Sequence, residues 1–247
     1  DFDIELVFLD RFTEGKKRVL QYAARRWMSV ITEDLPDYEF TRKVIAAGPA
    51  GPLYEIHPGE RIDDLRIYVI SFKYGSFEKV DGTLIAGLGS PGTLRENHLP
   101  VVGFIQLSSI LSSSGRLLGT GLHEIGHALG FGTLWGPLGF RSQNPPQDDP
   151  NADPHFNGPL AIAAFDDAGG RDYTGEKVPV ERDGSHWRDS VLPGELMGRG
   201  GRLSAITVQS LADLGYGVDV TRADPYTLPG ASTIARPPSQ VGTDCRN

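Results

Sequence analysis

The chain has 247 residues, 39% hydrophobic and 23% charged, which suits one large folded domain or two small ones. Its 31 glycines and 18 prolines imply much irregular chain without reaching low-complexity composition. A net charge of −8 with no basic cluster excludes nucleic acid as a partner, because phosphate backbones need gathered Lys and Arg. The longest apolar run, Leu99 to Leu107, excludes a transmembrane segment, which takes ~20 residues.

In chain order, Asp3 to Leu9 reads as a strand. Thr13 is placed to cap a helix in which Val19, Leu20, Ala23, Trp27, Val30 and Ile31 recur at helical spacing. That helix is expected to end near Leu35-Pro36, since a residue before proline avoids the helical region. Leu65 to Phe72 and Val101 to Leu107 read as strands, and the GLGSPG run between them as a turn-rich connection. A second helix is expected from Ser112–Ser114 to about Leu129. Residues 136 to 158, dominated by Pro, Asn and Asp, read as loop. Pro159 to Ala168 suits a short helix with proline in its first turn, and Ser204 to Leu214 an amphipathic helix stopped by Gly215. The Pro-rich tail from Asp224 is expected to lie on the surface.

The chemistry concentrates in GLHEIGHALGFGTLW, residues 121 to 135. His123 and His127 are four apart, so on a helix both imidazoles leave one face and can reach a single metal ion. Glu124 is about 100° further round and can serve as general base toward a water at that metal. Leu117, Leu118, Leu122, Ile125 and Leu129 supply an apolar helical pattern, and Gly130 suits a sharp turn just after it. Catalytic zinc generally takes three protein ligands and leaves a position open. No glutamate lies between His127 and Glu176, and the short motif HExxHxxGxxH fails because position 133 is Thr133. His155, in an Asp/Pro/Asn loop, and His186, in GSHW, remain as downstream candidates. His57 and His98 stand in loop contexts as ordinary exposed histidines.

The succession HEIGHALGFGTLW, a long insertion, SHW, ELM and SAITVQSLADLGY resembles the leishmanolysin-type metzincins, over at least Leu99 to Val218. The resemblance implies that His123, His127 and His186 ligate one catalytic Zn2+, that Glu124 is the general base and acid, and that Met197 forms the Met-turn under the metal without ligating it. It implies an α+β fold: a metzincin-like zincin with an upper lobe of twisted mixed sheet and two long helices, and a mostly irregular lower lobe with a C-terminal helix. One catalytic domain then spans residues 1–247. Its upper subdomain, residues 1–132, carries the active-site helix, and its lower subdomain, residues 133–247, carries the insertion, third ligand and Met-turn. The implied activity is hydrolysis of internal bonds of protein or peptide substrates, with substrate extended beside the strand Val101 to Leu107. A secreted or cell-surface monomer is expected. The chain departs from leishmanolysin in holding one cysteine, Cys245, too late in the chain for a propeptide blocking role. Trp187 is expected to be core packing. Asp148, Asp149, Asn151 and Asp153 make an oxygen-rich loop that suggests Ca2+ without the spacing of an EF-hand, so a solvated acidic loop is the plainer expectation. The alternative function is a surface adhesion or binding module that keeps zinc for structure.

Overall fold

A computed structural model describes residues 1–47, 53–73, 85–111, 113–142, 152–170 and 177–230. In chain order the elements are β1 (Ile4–Phe8), α1 (Glu14–Met28), β2 (Tyr38–Glu39), β3 (Val44–Ala47), β4 (Leu53–Ile56), β5 (Arg61–Ile62), β6 (Leu65–Phe72), β7 (Gly87–Pro91), β8 (Val102–Ser108), α2 (Ser114–Ala128), β9 (His155–Phe156), α3 (Pro159–Phe165), β10 (Val178–Pro179) and α4 (Ala205–Leu214). The protein is therefore mixed α+β. The main sheet runs β1-β6-β8-β7, with β1, β6 and β8 parallel and β7 antiparallel at the end.

The apolar runs read from the sequence become the inner strands because both of their faces are covered. All seven residues of β8 are buried. On one sheet face, Ile67, Val69, Ile105 and Leu107 pack with Leu20, Ala23 and Trp27 of α1 and Leu117 and Ile125 of α2. On the other, Tyr68, Ile70, Val102 and Phe104 pack with Phe40, Ile56 and Ile62 from the two small hairpin-like pairs β2·β5 and β3·β4. Phe165 of α3 and Ile206 and Leu211 of α4 join the first cluster, so one core continues from the sheet to α3 and α4.

The helices start where their caps lie. The Thr13 hydroxyl accepts from the Lys16 amide at 3.3 Å, the Ser113 hydroxyl from Arg116 at 3.4 Å, and the Ser204 hydroxyl from Thr207 at 3.4 Å. α4 stops at Gly215 in the left-handed region, φ 110°. Two expectations are corrected. α1 ends at Met28 rather than near Leu35, because Val30 and Thr32 pair with a neighbouring segment: the Asp219 amide donates to the Val30 carbonyl at 2.8 Å, and the Thr32 amide to Gly217 at 2.9 Å. Val30 and Ile31 are buried by that pairing, not by continued helix. The GLGSPG run is not a turn but begins with strand β7, paired Gly87↔Leu107 through Pro91↔Gly103. β8 is consequently an interior strand, and β7 forms one edge of the sheet, opposite β1. The 136–158 stretch read as loop ends in the short strand β9, and the helix expected from Pro159 is α3, followed by a π turn at 166–170 and by β10 before α4. Among the described residues no helix is long and apolar enough to cross a membrane.

Candidate metal centre

α2 carries His123 and His127 one turn apart with their Nε2 atoms 3.1 Å from each other. Just beyond its end the chain reverses at Gly130, φ 108°, a conformation that side chains disfavour. The reversal swings the Phe131 carbonyl back to within 2.9 Å of His127 Nδ1. Thr133, at the position where a shorter metzincin pattern has its third histidine, donates its hydroxyl to the His127 carbonyl at 3.1 Å instead.

The third imidazole comes from far along the chain. A Cβ on Gly132 would overlap the backbone of Ser185, so the bare glycine is what lets residues 185 and 186 approach the end of α2. His186 Nε2 then lies 3.1 Å from His123 Nε2 and 3.2 Å from His127 Nε2. Next to it, Trp187 is fully buried among Phe131, Trp135 and Phe156 and donates its indole N–H to Thr207 Oγ1 at 2.8 Å. The expected packing role for Trp187 thus has a polar anchor as well.

Each ring is oriented through its other nitrogen. His123 Nδ1 lies 2.8 Å from the Leu196 carbonyl, His127 Nδ1 2.9 Å from Phe131 O, and His186 Nδ1 2.8 Å from Asp183 Oδ2. Donation of Nδ1–H to these acceptors leaves each Nε2 lone pair facing the common point, as metal-ligating histidines require. Burial and the neighbouring His123 and His186 push the His127 pKa well below its ordinary 6.5, which keeps that ring neutral. Burial by itself raises the Asp183 carboxyl, but the His186 contact and the Ser185 N–H outweigh it and hold Asp183 well below the usual carboxylate range. Three imidazole nitrogens at this spacing fit a tetrahedral Zn2+, whose ligands at ~2.0–2.1 Å stand about 3.3 Å apart. Among the described residues this His group is one of two side-chain clusters able to hold a metal ion; the other comprises Asp34, Asp63 and Asp64.

Glu124 and Met197 both lie in the packing around α2. Glu124 is buried on α2 against β7. Met197 is fully buried, and its thioether packs so closely on Gly126 that a Cβ there would come 2.7 Å from Sδ. Its amide donates to Glu195 Oε2 at 2.6 Å, and its carbonyl accepts from the Trp187 amide at 3.1 Å. Glu195 also accepts from the Ser204 hydroxyl at 2.7 Å and from the Thr207 hydroxyl at 2.5 Å. Burial pushes its carboxyl up to about 7 against the pull of these donors.

The remaining expectations separate. His155 lies outside the cluster, with Nδ1 2.8 Å from the Asp153 carbonyl. His57 and His98 are exposed and belong to neither metal-capable cluster. Asp153 is engaged by Lys177 and, at 2.8 Å, by Arg188, so both of its carboxylate oxygens take part in ion pairs. Asp148, Asp149 and Asn151, like Cys245, lie outside the described residues.

Sequence reasoning missed Asp183, Glu195 and the glycines of β7. What the sequence offers for them is an acid three residues before His186 in DGSH, the acid in ELM, and a GLG spacing that puts two bare positions on one strand face, none of which is distinctive by itself. No protein-family model and no curated protein matches the chain.

Proposed function

We propose that the chain is a zinc-dependent metalloendopeptidase of the leishmanolysin-like metzincin kind, hydrolysing internal bonds of extended protein or peptide substrates. The observation that carries this reading is the convergence of His123, His127 and His186, their Nε2 atoms 3.1–3.2 Å apart and every Nδ1 tied to an oxygen. Three ligands is the number used by catalytic zinc, whereas structural zinc sites close with four.

His123, His127 and His186 would hold the ion, which supplies polarisation of the scissile carbonyl and acidification of a water. Glu124, the residue after the first ligand, accepts the proton of the attacking water and passes it to the leaving nitrogen. No covalent intermediate with the protein is involved. Met197 supports α2 from below at Gly126. The edge strand β7, rather than the interior β8, offers main-chain groups for an extended substrate to pair with.

The test is digestion of casein by the purified protein with and without a zinc chelator, beside a Glu124→Ala variant. The expected outcome is chelator-sensitive cleavage that falls by at least ~10³-fold in Glu124→Ala, with one zinc per chain retained. Cleavage by Glu124→Ala at the wild-type rate contradicts the assignment, and zinc retained without any peptidase activity in the wild type favours the binding-module alternative.

A further inference from the structure

We infer that Gly87 is a positioning residue for the Glu124 carboxylate, so that the edge strand β7 sets the place of the proposed general base. The inference rests on the reading of Glu124 above. β7 packs directly on α2, and its two contacts with Glu124 differ in kind. Gly87 and Gly89 are two apart on a strand and so face the same way, toward the helix. A Cβ on Gly87 would stand 2.5 Å from Glu124 Oε1, 2.7 Å from its Cγ and 2.7 Å from Thr120 Cγ2. A Cβ on Gly89 would instead overlap the Glu124 carbonyl and come 3.0 Å from its Cα.

These two collisions have different remedies. At Gly89 the obstacle is helix backbone, so strand and helix must separate and the sheet–helix packing is lost. At Gly87 the obstacles are side-chain atoms, Oε1 and Cγ of Glu124 and a methyl group of Thr120. Rotation about the Glu124 side-chain bonds relieves the overlap at the cost of moving the carboxylate, while the backbone stays. A displacement near 1 Å is enough to cost on the order of 10²-fold in a reaction that depends on alignment. Gly87 thus makes room for the carboxylate in one direction, and β7 limits it in that direction. The same strand is the one proposed to receive substrate, so base and substrate share one support.

The experiment compares Gly87→Ala, Gly89→Ala, Glu124→Asp and the double variant Gly87→Ala/Glu124→Asp. Kinetics use a fluorogenic peptide, and zinc content and Tm are measured for each. The visible spectrum of the cobalt-substituted protein is titrated with pH as a readout independent of proteolysis. For Gly87→Ala the expected result is kcat lower by at least ~10-fold, KM within about threefold, full zinc, an unchanged Tm and a shifted midpoint in the cobalt titration. The kcat losses of Gly87→Ala and Glu124→Asp should not add in the double variant, because both act on the same carboxylate. Gly89→Ala should lower Tm. Wild-type kcat and cobalt midpoint in Gly87→Ala overturn the inference, as does an activity loss that tracks Tm or zinc. A wild type that cleaves no peptide overturns the endopeptidase reading alone, since the cobalt midpoint still reports whether Gly87 positions the carboxylate.

Discussion

Asp183 orients the His186 ring from outside the three-imidazole cluster. Its carboxylate, 2.8 Å from His186 Nδ1, is itself fixed by the Ser185 amide at 2.9 Å and the Ser185 hydroxyl at 3.2 Å. It thereby sets the tautomer and the ring plane of the one ligand that arrives from outside the helix. Asp183→Asn should weaken zinc binding about 10–100-fold, as second partners of ligating histidines do. Competition against a chromophoric chelator measures this, and unchanged affinity would show that Ser185 and Gly132 suffice. At this scale the paired histidines were legible, because four-residue spacing on an apolar helical pattern has one geometric meaning. His186 was legible only through resemblance, since spacing alone left it level with His155. Asp183 could not be read, because nothing local distinguishes it from the other acids of the insertion.

Elements take their positions from contacts between distant segments, and this is where sequence reading succeeds and fails for identifiable reasons. Helix starts were legible from Thr13, Ser113 and Ser204, because a capping hydroxyl acts over three residues. The end of α1 was not, because residues 217–219 supply the competing pairing. Strand β7 was not legible either. Its glycines satisfy a packing demand of α2, and glycine in sequence signals a turn with equal force. The segment 195–197 is held by Glu195, whose carboxylate joins the Met197 amide, Ser204 at the head of α4 and Thr207, which in turn accepts from Trp187. Because the Leu196 carbonyl faces His123, this buried acid lies behind two of the three ligands. Glu195→Ala should destabilise the protein by about 2–5 kcal/mol, through donors left buried without an acceptor. Urea denaturation checks it, and a loss below about 0.5 kcal/mol, on the order of a surface substitution, would contradict it.

For the whole molecule, two buried groups give stability opposite dependences on pH. Glu195 is raised from 4.5 to about 7, so the native state binds its proton more tightly than the unfolded chain does. Its contribution is fully present below pH 4.5 and is lost as pH rises through about 7. His127 is lowered from 6.5, so its contribution in the metal-free protein is present above pH 6.5 and lost as pH falls. Glu195→Gln isolates the first: the stability of wild type relative to that variant should decline between pH 4.5 and about 7 and level off above. A difference that rises over this window reverses the sign and refutes the assignment. Strands β1, β6 and β8 and helices α1 and α2 were legible from apolar runs and periodicity, and their assembly around a mixed sheet only through the resemblance, whereas the β2·β5 and β3·β4 pairs on the other face were too short to carry a pattern.

All of this depends on one ion held by three imidazoles, two from a helical turn and one brought back past Gly132. X-ray absorption at the zinc edge of the purified protein, with His186→Ala beside it, tests that most directly. The account predicts one zinc per chain with three histidine nitrogens at ~2.0–2.1 Å in the wild type, and loss of a nitrogen with much weaker binding in the variant. A wild-type protein that takes up no zinc, or a zinc environment that His186→Ala leaves unaltered, would contradict it.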